Sequence, residues 1–92
     1  MKVLAGGAWK TFTALIDSGA KDNFVSRLVA KECDLQLTGE RPKTFQTLPR
    51  NEGIIYDTAL AQVEITNTLG QTKVDALRLR VIDMPGVDLI LG

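Results

Sequence analysis

Apolar and polar residues alternate along most of this chain, and the period lengthens in a single short stretch. Lys2-Val3-Leu4-Ala5 is followed by Gly6-Gly7, a two-residue connection suited to a tight hairpin turn with positive φ. From Ala8 to Ile16 the alternation continues, with Trp9, Thr11, Thr13 and Leu15 on one face and Ala8, Phe12, Ala14 and Ile16 on the other. That pattern predicts one strand, buried on both sides near its end, which stops at Asp17-Ser18-Gly19. Phe24 to Cys33 has the longer period: Phe24 and Leu28 lie four apart, as do Val25 and Val29, while Arg27, Lys31 and Glu32 can face water. This predicts a short amphipathic helix with Asp22 or Asn23 as its N-cap.

Leu35 and Leu37 around Gln36 predict a brief strand, and Thr38-Gly39-Glu40-Arg41-Pro42 a loop. Lys43 to Leu48 reads as a strand, and Ile54 to Ile65 as a long one; the polar, turn-forming run Pro49 to Gly53 between them predicts a hairpin tip without an apolar anchor. Asn67-Thr68-Leu69-Gly70 is a further turn, leading to a strand over Thr72–Ile82 in which Leu77, Leu79 and Val81 alternate with Arg78 and Arg80. After Asp83-Met84-Pro85-Gly86, the run Val87 to Gly92 reads as a buried strand. The expected fold is mainly all-β, a closed barrel or sandwich with one short helix, without internal repeat or linker.

Length then limits this to one domain over residues 1–92. Lys plus Arg and Asp plus Glu are both 11, so charge gives no reason to expect nucleic acid or an anionic membrane as partner. The apolar runs are far shorter than the roughly 20 residues of a bilayer span. The N-terminus does not read as a secretory leader. Cys33 alone cannot form an internal disulfide, which favours a reducing compartment; the expectation is a soluble intracellular domain.

Absences narrow the chemistry. Without histidine there is no Ser-His or Cys-His pair and no imidazole for zinc, and one cysteine cannot build a thiolate cage; no metal or cofactor is expected. A Ser–Lys dyad of Ser18 or Ser26 with Lys21 has nothing else in its support. Carboxylates remain. The apolar run Ala14-Leu15-Ile16 delivers Asp17 to a turn, where its acid can be presented to solvent. A single carboxylate cannot both deprotonate water and protonate an amide carbonyl. Two held close together can, because like charges resist joint ionisation and the pair keeps one proton. With one suitable turn in the chain, the second copy comes most simply from an identical subunit across a C2 axis.

Ala14-Leu15-Ile16-Asp17-Ser18-Gly19-Ala20 resembles the active-site segment of retropepsins, the homodimeric aspartic proteases of retroviruses and LTR retrotransposons. Asn23-Phe24-Val25-Ser26 looks like the version in gypsy-type polyproteins, and Leu89-Ile90-Leu91-Gly92 resembles the apolar-apolar-Gly element behind the catalytic turn. The resemblance implies a retropepsin-like half-domain with a flap hairpin, working as a C2 homodimer. It implies an endopeptidase that cleaves peptide bonds in its own polyprotein, in the cytoplasm or a virus-like particle, without metal or cofactor. Asp17 would be the catalytic carboxylate; Ser18 would hydrogen-bond to the partner's turn; Gly19 would leave room for substrate backbone; Ala20 and Lys21 would line the groove. Leu48, Pro49, Arg50, Asn51 and Gly53 would lie in the flap that closes over a peptide.

Two features depart from that family. Lys21 stands where many members carry a small hydroxyl residue or an acid, and a cation there would favour ionised carboxylates and shift the optimum towards acid. The family's C-terminal helix and last strand would follow Gly92, so the 92 residues are expected to lack them. The alternative is an inactive or domesticated domain of the same fold, serving as a dimerisation or peptide-binding module. Plainer roles stay open for single residues: Asp17-Ser18-Gly19 as an ordinary turn, Trp9 and Phe12 as core or dimer contacts, Cys33 as a buried hydrophobe, Arg78 and Arg80 as a solvated face, and Asp88 as a structural acid.

Overall fold

A computed structural model describes residues 1–17, 19–47 and 51–92. Gly6 and Gly7 take φ of 57° and 88°, the left-handed values a primed two-residue turn requires, and they fold β1 (Lys2–Ala5) against β2 (Ala8–Thr11). The expected long strand from Ala8 to Ile16 is in fact two. It breaks at Phe12-Thr13, and β3 (Ala14–Ile16) lies elsewhere in the sheet. Phe12 N–H donates to Met1 O (2.9 Å), beside β1, whereas Thr13 N–H donates to the Asp88 carboxylate (3.2 Å). The chain changes partners between those two residues, and Asp88 has the structural, backbone-holding role expected of it.

The periodicity of Phe24 to Cys33 also divides. Phe24–Ser26 is a strand, β4, and only Arg27–Glu32 is helical, α1. Ser26, rather than Asp22 or Asn23, caps the helix: its Oγ accepts from Val29 N–H at 3.0 Å. At the other end Asp34 adopts φ 49°, Leu35 N–H reaches Ala30 O (3.0 Å) and Asp34 N–H reaches Lys31 O (3.1 Å), a Schellman closure. Cys33, beside it, is buried and free, and burial pushes its thiol pKa up against a smaller opposing pull from Lys10.

Then come β5 (Gln36–Leu37), β6 (Lys43–Thr47), β7 (Asn51–Ile55), β8 (Asp57–Thr66), β9 (Thr72–Ile82) and β10 (Leu89–Leu91). Ile54 to Ile65 is interrupted at Tyr56, so the hairpin β6–β7 forms a sheet of its own, and β8 pairs with β9 over ten residue pairs from Asp57↔Val81 to Thr66↔Thr72. Among the described residues the main sheet runs β2-β1-β8-β9-β4-β10-β3, with β5 added to β8. Laid flat, seven strands would hold β2 and β3 about 29 Å apart at the usual spacing of about 4.8 Å. Thr11 and Ala14 are three residues apart and can be separated by at most about 11 Å. The sheet therefore has to curl, and it forms a half-barrel.

Alternate residues of β8 and β9 fill its inside. Ala59, Val63 and Leu79 are fully buried together with Val3, Val25 and Leu89, and α1 contributes Val29 and Ala30. Phe12 packs against this core, but Trp9 stands 39% exposed on β2 rather than within it. No helix among the described residues is long and apolar enough to cross a membrane.

Candidate functional site

β10 runs between the two strands that flank the Asp17 turn. It is parallel to β3, with Leu91 opposite Ile16, and antiparallel to β4, with Ile90 opposite Phe24. The segment from Asp17 to Asn23 therefore leaves the sheet over the end of β10 and re-enters on its other side. Asp17 N–H donates to Leu91 O at 2.8 Å, which fixes where the turn begins. Its Oδ1 accepts from Gly19 N–H (3.0 Å), its backbone O from Ala20 N–H (3.0 Å), and the carboxylate is held by its own turn while the residue remains exposed.

Glycine is required beneath this turn for a steric reason. A Cβ on Gly92 would lie 2.5 Å from Ala20 O and 2.8 Å from Asp22 O, both backbone atoms. Gly92 N–H instead donates to Asn23 Oδ1 at 3.1 Å, and Asn23 O accepts from Arg80 N–H at 2.8 Å. On the turn itself, a Cβ on Gly19 would come within 3.3 Å of Asp17 Oδ1.

The approach to the turn differs from the sequence expectation. Leu15 and Ile16 are 50% and 76% exposed rather than buried on both sides; among the described residues β3 is an edge strand, paired with β10. A leucine, an isoleucine and a carboxylate thus share one uncovered edge. Ala20 is half-buried and Lys21 exposed, both on the turn. Ser18 lies outside the described residues.

Of the residues expected in the flap, Asn51 and Gly53 are in β7, paired with Thr47 and Phe45; Leu48, Pro49 and Arg50 lie outside the described residues. Gly53 leaves space for the Phe45 ring, which a Cβ there would meet at 2.5 Å. Phe45 in turn stacks on Phe24 (centroids 6.2 Å apart, planes at 25°), so the hairpin rests on the strand that leaves the Asp17 turn. At its exit, Tyr56 donates its hydroxyl to Asp83 (2.8 Å), and Arg27 lies 4.2 Å over the Tyr56 ring while pairing with Asp83 at 3.2 Å.

A charged cluster behind the turn was not anticipated. Arg78 is exposed, as a solvated face would have it, but Arg80 is not: its side chain is 25% exposed and shared between Glu40 (3.3 Å), the Thr58 hydroxyl (3.1 Å) and Asp22 (3.8 Å). The alternation of Leu77, Leu79 and Val81 with Arg78 and Arg80 showed which face the arginines take, but not that acids from two distant loops meet one of them. Nearby, Asp57 Oδ1 accepts from the N–H groups of Thr58, Gly39 and Glu40 and from the Thr38 hydroxyl. Partial burial raises the Asp57 pKa, yet these four bonds outweigh it and hold the group below the ordinary aspartate value.

The model of a family described as gag-polyprotein putative aspartyl protease matches residues 3–92. No curated protein and no solved structure matches the chain.

Proposed function

Since the chain belongs to the gag-polyprotein aspartyl protease family, a retropepsin-like type of retroelement polyprotein, we propose that it is one half of a homodimeric endopeptidase whose catalytic carboxylate is Asp17. The observation that carries this reading is the Asp17 turn itself: an exposed acid, fixed through its backbone to Leu91, at the end of an edge strand whose Leu15 and Ile16 are uncovered. Such an edge suits both a second copy of the turn and the extended backbone of a peptide.

In the dimer the two Asp17 carboxylates face one another and share a proton, the arrangement general to aspartic proteases. The ionised member takes a proton from water as the water attacks the scissile carbonyl, and the protonated member donates to the carbonyl oxygen. As the tetrahedral intermediate collapses, the first carboxylate passes the proton it gained to the leaving amine. The second takes back a proton from one geminal hydroxyl as the product carboxyl forms, so the pair ends with the single proton it began with. Gly19 N–H, bonded to Oδ1, orients the acid. The hairpin β6–β7 closes over the bound peptide, and Ala20 and Lys21 border the groove. The substrate is the polyprotein that contains the domain, and the setting is the cytoplasm or a virus-like particle.

The test is cleavage of a peptide library by the 92-residue chain at several acidic pH values. Specific activity should rise with protein concentration as dimers form. A statine-type transition-state mimic should inhibit it, and Asp17→Asn should abolish turnover while leaving the fold intact. Turnover that survives Asp17→Asn would exclude this mechanism.

A further inference from the structure

Arg80 joins two parts of the molecule that the chain keeps apart. Its backbone N–H holds Asn23 O, and its guanidinium reaches Asp22, so two successive residues of the Asp17 turn depend on it. The same guanidinium bonds Glu40, in the loop that enters the hairpin β6–β7. Glu40 is fixed from three further sides: Thr58, 1% exposed, donates its hydroxyl to Oε2 at 2.8 Å, Asp57 holds the Glu40 N–H at 3.1 Å, and the Arg78 guanidinium lies 3.8 Å from Oε1. A buried hydroxyl and a carboxylate with four hydrogen bonds make this end of the link stiff. The other end continues through Asn23 Oδ1 to Gly92 N–H, and from the adjoining Leu91 O to Asp17 N–H.

We propose that Arg80 is a positioning residue that couples the root of the β6–β7 hairpin to the Asp17 turn. The proposal rests on Asp17 as the catalytic acid for its consequence in catalysis, although the coupling is a property of the fold. With Glu40 seated on Arg80, Asp22 and Asn23 are drawn towards β9 and the turn is held over Gly92. If the hairpin root shifts, Glu40 withdraws one of the bonds that orient the guanidinium, and the restraint on Asp22 loosens with it. A planar guanidinium can serve both acids at once through separate N–H groups, whereas an ammonium is a single point charge.

The coupling can be read without catalysis, by backbone amide exchange of the full chain. In Glu40→Gln, the amides of Gly19, Ala20 and Gly92 should exchange about tenfold faster, while those of Val3 and Val63 in the core keep their rates. Arg80→Met should reproduce the effect, and Arg80→Lys should restore part of the protection. In the Arg80→Met background, adding Glu40→Gln should have no further effect at the turn. Faster exchange confined to residues 38–42, or a uniform loss of protection that includes the core, would overturn the proposal. Catalytic failure and coupling failure remain distinguishable. Asp17→Asn that leaves turnover unchanged would refute the enzymatic reading alone, whereas uncoupled exchange in a chain that Asp17→Asn inactivates would refute the role of Arg80 alone.

Discussion

Gly92 is a residue whose importance comes entirely from atoms about seventy positions away. The clash a methyl group would cause there involves the carbonyl oxygens of Ala20 and Asp22, and backbone atoms cannot swing aside as a side-chain tip can. Gly92→Ala should therefore lift the Asp17 turn off the end of β10 and cost about 1–3 kcal/mol, as overpacking does. Turnover should fall by more than stability alone explains, because Asp22 and Asn23 move with the displaced carbonyls. Denaturant unfolding together with the peptide-cleavage rate checks both parts, and an unfolding midpoint equal to wild type would refute the steric argument. Nothing local in Leu89-Ile90-Leu91-Gly92 announces this contact. Its reading as a strand behind the turn came from resemblance, and the structure adds why the glycine is there.

Between residues and fold lie the elements, where the sequence was most informative and also most ambiguous. The hairpin at Gly6-Gly7 and the strand over Thr72–Ile82 were legible because turn chemistry and period-two patterning agree locally. Ala8–Ile16 was not, because its alternation continues unbroken while the chain exchanges one neighbour for another at Phe12-Thr13. In the same way Phe24 and Val25 satisfy a helical period but are claimed by β9 and β10 as a strand, with Phe24 opposite Arg80 and Val25 opposite Leu89. Pairing partners far along the chain decided both. The candidate site divides likewise: Asp17 on its turn was visible, but the Arg80 cluster needed Asp22, Glu40 and Thr58 to be brought together. The shortened α1 makes a checkable claim about its ends. Ser26→Ala removes the N-cap and should cost about 1 kcal/mol. Asp34→Gly relieves a left-handed side-chain residue at the C-terminal closure and should gain up to about 1 kcal/mol. Chemical denaturation reads both, and opposite signs are required; a stabilising Ser26→Ala would contradict the assigned start of the helix.

At the scale of the whole molecule, acidity sets conditions on stability as well as on chemistry. Asp57 ties the start of β8 to the loop at Thr38–Glu40, and so holds the same root of the hairpin that Glu40 presents to Arg80. Its pKa is lower in the folded chain than in the unfolded one, so the folded state binds this proton less readily. Stability from this group is therefore fully present above the ordinary aspartate value. It is lost as pH falls through the depressed folded value, because the unfolded chain takes up its proton first. Asp57→Asn should accordingly be less stable than wild type near neutral pH, and the gap should narrow as the pH falls through the ordinary aspartate value and below it. Urea unfolding of both proteins across that range tests it. A gap that stays constant with pH would mean that the four hydrogen bonds do not depend on the carboxylate's charge. If the gap closes as expected, the hairpin root loses part of its support as the pH falls. The hairpin would then open more readily as the Asp57 carboxylate takes up its proton.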